Sequence, residues 1–211
     1  MNKIIDLSWT IHEHMPLFPG DPALQVHSIK QVSLDGYAIK TIQAGMHVGT
    51  HLDAPAHFLA LGKTVESLDL SSCVGKATLI TVQPVSGILP TEVIVSRYQN
   101  ALEQHPILLI HTGWSHKVEQ VEYFTQFPAF EPSFIQFLDE HKIKTIGVDM
   151  PSIQFPKGDF SGIHQALLSR DIVIIENLVH LEQCPGVFTL IALPLKLQGF
   201  DGSMVRAIGI I

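Results

Sequence analysis

Residues 47–58 read HVGTHLDAPAHF and place His47, His51, Asp53 and His57 within twelve residues, with no lysine, arginine or second acid among them. Two imidazoles and one carboxylate are a frequent donor set for a catalytic divalent ion, because they leave a coordination position open for water. Zinc and manganese both suit these donors, and ligand type alone does not choose between them. The i, i+4 spacing of His47 and His51 matches a helical HExxH site. A helix is disfavoured here, since Gly49 and Thr50 are poor helix formers and Pro55 drives Ala54 out of the α region. In an extended segment residues 47, 51, 53 and 57 face one side. A straight strand would hold His47 and His51 about 13 Å apart. Two imidazoles sharing one ion therefore require a bend between them, and Gly49 is the residue that permits it. His51 and Asp53, two residues apart, can chelate without help. The competing reading is of histidines exposed to solvent or hydrogen-bonded in a core.

A second pair lies downstream. His164 falls in the first turn of a helical pattern over residues 161–170, and Glu176 ends the apolar run IVII twelve residues later. A carboxylate at the end of a buried strand is costly unless it is paired or metal-bound. Emergence into solvent, or pairing with Arg170, is the alternative.

The elements that must carry these residues are mostly strands. Apolar, β-branched runs recur at residues 77–82, 106–111, 144–150, 171–178, 187–193 and 205–211. Several are apolar throughout, as in strands covered on both faces. Residues 24–34 and 37–45 read as paired antiparallel strands turning at Asp35-Gly36. Helical patterns cover residues 91–104, with Thr91 as the expected N-cap, residues 131–142, with Pro132 early and Phe134, Phe137, Leu138 and His141 at helical spacing, and residues 161–170, beginning at Ser161. Strands outnumber helices, so the expected fold is α/β, a mixed sheet or stacked sheets with helices over one side.

Composition narrows the function. A chain of 211 residues suits one domain, and 46% hydrophobic residues argue against disorder. A net charge of −7 without a run of Lys and Arg argues against nucleic acid as a partner. Cys73 and Cys184 form no CxxC pair, which excludes cysteine-rich zinc modules; both are expected to be reduced structural residues, the alternative being a single disulfide in an oxidising compartment. The N-terminus is interrupted by Asp6 and by His12-Glu13-His14, unlike a signal peptide, and no apolar stretch reaches the ~18 residues of a membrane span. The expected compartment is the cytoplasm. No GxSxG elbow is present; GMHVG carries His47 where a serine would stand. His12 and His14 are expected to be exposed or at the mouth of the site.

HVGTHLDAPAHF resembles the HxGTHxDxPxHF signature of the cyclase-like metal-dependent amidohydrolases, which include bacterial kynurenine formamidase and isatin hydrolase. Residues 6–22 (DLSWTIHEHMPLFPGDP), 107–114, 145–153, 172–181 and 193–208 (LPLKLQGFDGSMVRAI) are similar to further segments of that family, so the likeness covers nearly the whole chain. The resemblance implies a β/β/α mixed-sheet fold, one domain per chain, and a homodimer or homotetramer. It implies one or two divalent ions. His47, His51 and Asp53 would bind the first, and Asp53, His164 and Glu176 the second, with Asp53 bridging. His57 would transfer protons. The implied activity is hydrolysis of a C–N amide bond in a small molecule, an aryl formamide such as N-formylkynurenine or a cyclic amide. The alternative is a non-catalytic member of the fold that binds metal or a small molecule. Where the kynurenine formamidases are expected to carry Trp before PGD, this chain has Phe18, a possible wall for an aromatic ring. Arg206 is expected to pair with Asp201 or another acid.

Overall fold

The apolar runs of the second half form the centre of one nine-stranded mixed sheet. The computed structural model describes residues 2–101, 103–154 and 162–211. In chain order the strands are β1 (Ile4–Asp6), β2 (Gln25–Lys30), β3 (Ile39–Gln43), β4 (His51–Asp53), β5 (Val74–Thr81), β6 (Ile88–Leu89), β7 (Ile107–His111), β8 (Ala129–Phe130), β9 (Thr145–Val148), β10 (Val173–Glu176), β11 (Val187–Ile191), β12 (Gly202–Met204) and β13 (Ile208–Ile210). The helices are α1 (Val32–Asp35), α2 (Thr91–Gln99), α3 (Ser133–Glu140) and α4 (Ile163–Leu168). The large sheet has the order β1-β13-β11-β5-β7-β9-β10-β4-β12. Its middle four strands run parallel, and the others add antiparallel on both sides.

Parallel neighbours need crossover connections, and these are right-handed. The chain steps in one direction from β5 to β7, β9 and β10, so every crossover helix falls on the same face. Ile94 of α2, Phe134 and Phe137 of α3 and Leu167 of α4 accordingly share one core with Leu108, Ile110, Ile146 and Ile174. The alternate residues Ile107, Leu109, Val173 and Ile175 point the other way, into a second core with Leu7, Leu52, Phe188 and Ala207. Burial on both faces explains why these strands read as continuous apolar runs.

The second core exists because the sheet curls. β12 and β13 stand seven inter-strand spacings apart in the order, about 33 Å in a flat sheet. Residues 205–207 alone connect them, and four Cα steps reach at most ~14 Å. The two ends of the sheet must therefore approach each other. Leu7 N–H donates to Ala207 O at 2.9 Å, and Val179 N–H to Leu7 O at 3.1 Å, where they meet. This is the mixed-sheet α/β class read from the sequence, with the helices on one face.

Two local expectations change. Thr91 is the first residue of α2 rather than its cap. Pro90 precedes it, and the Thr91 N–H donates to Glu131 Oε2 at 2.7 Å. A carboxylate from a distant segment does the capping, so the Thr91 hydroxyl caps nothing. β2 and β3 pair as expected, but between them the chain makes one helical turn, α1, closed by Gly36 at φ +78°. Asp35 stabilises that turn by accepting from Gln31 N–H at 2.9 Å and from Lys30 Nζ at 2.8 Å. The expected helix start at Ser161 lies outside the described residues; α4 is described from Ile163. Among the described residues no helix is long and apolar enough to cross a membrane.

Candidate metal centre and active site

β4 lies between β10 and β12, and all three of its residues are buried. Its antiparallel register with β10 sets Glu176 opposite His51 and Ile174 opposite Asp53. Directly paired residues share a face of the sheet. Ile174 belongs to the core beneath the helices, so His51, Asp53 and Glu176 all project to the helix side. α4 packs on that side and brings His164 to the same point. His51 and Asp53 thus stand 3.4 Å from Glu176 and His164, residues more than a hundred positions further along the chain.

His47 reaches them through the bend at Gly49. That residue has φ +61°, in the left-handed region glycine tolerates at no steric cost. A Cβ there would also lie 2.5 Å from Ile11 Cδ1. The bend brings the rings of His47 and His51 to 5.2 Å between centroids, where a straight strand would not. After Asp53 the segment is not extended: residues Pro55–His57 form a 3-10 turn led by Pro55. The turn swings His57 back until its ring stacks on His47 at 3.9 Å.

The donor atoms converge on Asp53. Asp53 Oδ1 stands 2.7 Å from His47 Nδ1 and 3.5 Å from His51 Nε2. Asp53 Oδ2 stands 3.4 Å from His164 Nε2. Glu176 Oε1 is 3.1 Å from His164 Nε2, and Glu176 Oε2 is 3.4 Å from His51 Nε2. His51, Asp53, His164 and Glu176 are 2%, 0%, 4% and 4% exposed, too buried for a chance surface cluster. Within this set Asp53 Oδ2 has no hydrogen-bond donor, a costly arrangement for a buried carboxylate oxygen unless a cation takes it. Outer partners aim the imidazoles as they do around metals. His51 Nδ1–H donates to Gly49 O at 2.8 Å, and His164 Nδ1 pairs with Gln154 Oε1 at 3.2 Å, so both turn Nε2 inward. Ile153 N–H donates to Glu176 Oε1 at 2.7 Å. The residues fit one or two divalent ions, with Asp53 offering one oxygen to each side.

Without an ion, protons balance the charge. Burial pulls the His164 pKa down, but the neighbouring carboxylates of Asp53 and Glu176 outweigh it and push it up to about 10. His47 behaves alike: burial lowers it, while Asp53 and Asp201 carry it to about 9. His51 is also raised, against burial, by Glu176 and Asp53. Burial opposes ionisation of Asp53, yet His164 and His47 hold it well below the usual carboxylate range. His57 moves the other way. Burial lowers it, so it is neutral near pH 7 and able to take a proton.

These groups open on a cavity of about 410 Å³ whose walls include Phe18, Phe58, Pro151 and Gln154. Phe58 stacks on His164 at 4.6 Å, and Phe18 meets Phe124 edge-on at 5.7 Å. A second cavity of about 210 Å³ adjoins it, sharing Phe18, His47 and Pro151, and His12 and His14 line that one as exposed residues. All seven residues singled out in the sequence for metal, proton transfer or substrate therefore lie at one place. Arg206 pairs with Asp6, at 2.6 and 2.8 Å, and not with Asp201. Arg170 pairs with Asp139 at 2.8 Å, leaving Glu176 to the histidines. Cys73 and Cys184 are free thiols outside the site. Sequence reasoning did not find Ser152, Gln154, Phe58 or the role of Asp201, whose side chain bonds His47 and His57. The Asp201-Gly202 pair, at the start of a strand, was the available signal.

A curled mixed sheet that gathers buried histidines and acids under one helix layer defines an α/β protein with a divalent-cation site beside an aromatic-walled cavity. Comparison with known proteins is more specific. The sequence profile described as putative cyclase matches residues 5–154, and the chain belongs to that family. A kynurenine formamidase of Geobacillus thermodenitrificans is 33% identical over 211 residues, spanning 98% of this chain and 97% of that protein. A kynurenine formamidase of Bacillus cereus is 34% identical over 206 residues, spanning 97% and 95%. Among solved structures, a potential metal-dependent hydrolase with cyclase activity matches with a TM-score of 0.81 at 25% identity, over 100% of this chain and 98% of that one. An isatin hydrolase bound to the product analogue thioisatinate matches in fold, with a TM-score of 0.87 at 20% identity over 100% and 92%.

Proposed function

We propose that this chain is a metal-dependent hydrolase that cleaves a C–N amide bond in a small molecule, an aryl formamide or a cyclic amide. The observation that carries the reading is the buried His–Asp–Glu set around the undonated Asp53 Oδ2, open to a cavity walled by Phe18 and Phe58. Full-length similarity to kynurenine formamidases supports the amide as the bond broken. His47, His51 and Asp53 hold one zinc or manganese ion, and Asp53, His164 and Glu176 a second. When bound, such ions supply a nucleophile from water at neutral pH and polarise the carbonyl oxygen. The chain's own residues do the rest. Phe18 and Phe58 flank the substrate ring, and Pro151 adds to the same wall. Hydrolysis removes one proton from water and delivers one to the departing nitrogen. His57, neutral at pH 7 and facing the cavity, takes the first proton and gives it to the nitrogen, so the C–N bond breaks to release the amine and a carboxylic acid, which loses its remaining proton to solvent. A protein that binds metal without turnover has no use for a proton carrier at that point, which disfavours the non-catalytic reading.

The experiment is a comparison of zinc-loaded, manganese-loaded and chelator-treated protein on N-formylkynurenine, simple aryl formamides and isatin-type lactams. Metal-dependent turnover of at least one is expected. Metal-loaded protein that turns over none of them removes the proposal.

The proposed assembly is a homodimer or homotetramer in the cytoplasm. The β2–β3 arm supports it, because Ile29 on β2 and Val32, Leu34 and Tyr37 on the connection to β3 are 55%, 67%, 81% and 54% exposed. An isolated two-stranded ribbon is marginal in water, and a second copy covering it removes that cost. Leu34→Glu with Ile42→Glu is expected to halve or quarter the molar mass in solution by light scattering; an unchanged mass assigns the interface elsewhere.

A further inference from the structure

We propose that Asp201, with Gly202 behind it, is the positioning residue that ties the proton carrier to the metal site. The inference rests on the reading above, in which His47 is a ligand and His57 carries protons. Asp201 directly precedes β12, the edge strand paired with β4, and Gly202 stands opposite Asp53. Ala54 N–H donates to Asp201 O at 2.9 Å, which fixes this backbone against the end of β4. One carboxylate oxygen, Asp201 Oδ2, then accepts from two rings, His47 Nε2–H at 2.9 Å and His57 Nδ1–H at 3.2 Å. The rings are stacked at 3.9 Å and 27°, so a single oxygen at their common edge serves both.

Two consequences follow from which nitrogen carries the hydrogen. With Nε2–H committed to Asp201, His47 turns Nδ1 toward Asp53 Oδ1, 2.7 Å away. With Nδ1–H committed to the same oxygen, His57 keeps Nε2 as its working nitrogen. Asp201 thus sets the tautomer of a ligand and of the proton carrier at once, as outer carboxylates do for metal-bound histidines. Gly202 completes the cradle. A Cβ there would lie 2.5 Å from His47 Cε1 and 2.9 Å from its Nε2, so any side chain displaces the ring that Asp201 holds. Arg206, four residues from Gly202, is committed to Asp6 and leaves the carboxylate to the imidazoles.

The test uses full-length protein carrying Asp201→Ala, Asp201→Asn or Gly202→Ala, with folding checked by thermal melting. Zinc affinity is read by competition with a chromogenic chelator, and ring tautomers by long-range ¹H–¹⁵N spectra of the zinc-loaded protein. Asp201→Ala is expected to weaken zinc about 10–100-fold and to move His57 from Nδ1–H toward a mixture. kcat should fall with KM little changed. Asp201→Asn keeps an acceptor oxygen and should restore the His57 tautomer in part. Gly202→Ala should weaken zinc with the carboxylate still present, and it decides the matter if Asp201→Ala does not fold. Folded Asp201→Ala protein with wild-type zinc affinity, or with His57 still Nδ1–H, overturns the shared role. A protein that hydrolyses no amide defeats the functional reading alone, since neither zinc affinity nor tautomer depends on substrate.

Discussion

His57→Ala is expected to lower kcat about 10²–10⁴-fold while zinc or manganese content stays at the wild-type level. The expectation follows from what His57 touches. Its ring faces the cavity, stacks on His47 and donates Nδ1–H to Asp201, so Nε2 is left to meet a substrate. Burial lowers its pKa, which keeps it neutral and basic at the pH where the ligand histidines of the metal-free protein are charged. The other imidazoles lining that cavity among the described residues are His47, His51 and His164, the residues that would hold metal, which leaves His57 as the imidazole free to carry a proton. The geometry also makes the prediction sharp. His57 falls in the same donor group as His47 and Asp53, with ligand atoms within 4.8 Å of one another. If metal leaves with the imidazole, His57 is a ligand and the proton carrier is another group. Metal analysis beside steady-state kinetics on the best amide separates the two outcomes, and a wild-type kcat sinks both.

What the sequence made legible was local. The strand runs declared themselves because strands covered on both faces need apolar residues on both. The bend at Gly49 was legible from chain geometry, since His47 and His51 cannot meet along a straight strand. The meeting of Glu176 with His51 was not, because it depends on the register of β10 against β4, and no local pattern encodes which residues of two distant strands stand opposite each other. Asp201 was hidden for the same reason. Its partners lie 154 and 144 positions away, and the nearer cation Arg206 offered a simpler pairing. Thr91 shows the converse, a good local cap displaced by Glu131 from 40 positions on. Curling, too, is a global property. It follows from the short link between β12 and β13, and that link is short only once the strand order is known.

Asp53→Asn is expected to reduce metal content to background and, in chelator-treated protein, to lower stability by about 3–5 kcal/mol near pH 5.5, the range for breaking a buried ion pair. Asp53 is the group whose two oxygens face both halves of the donor set, so an amide in its place removes the shared charge from both. In the metal-free protein the same carboxylate neutralises His47 and His164, which are 21% and 5% exposed at the side chain. The pH dependence has a definite sign. His47 and His164 have raised folded pKa values, about 9 and about 10. Their pairing energy is complete below the unfolded value of about 6.5 and fades as pH rises through the folded values. Asp53 has a folded pKa well below the ordinary aspartate value of 3.8, so its share is complete above about 4 and fades as pH falls. The gap between wild type and Asp53→Asn should therefore be widest between about pH 4.5 and 6.5 and shrink on either side. Above it the variant's histidines simply deprotonate and shed the cost. Denaturant melts of both chelator-treated proteins from pH 4 to 9 measure the gap directly. A constant difference across that range, or a variant that keeps its metal, would show that Asp53 is not the charge on which the cluster is built.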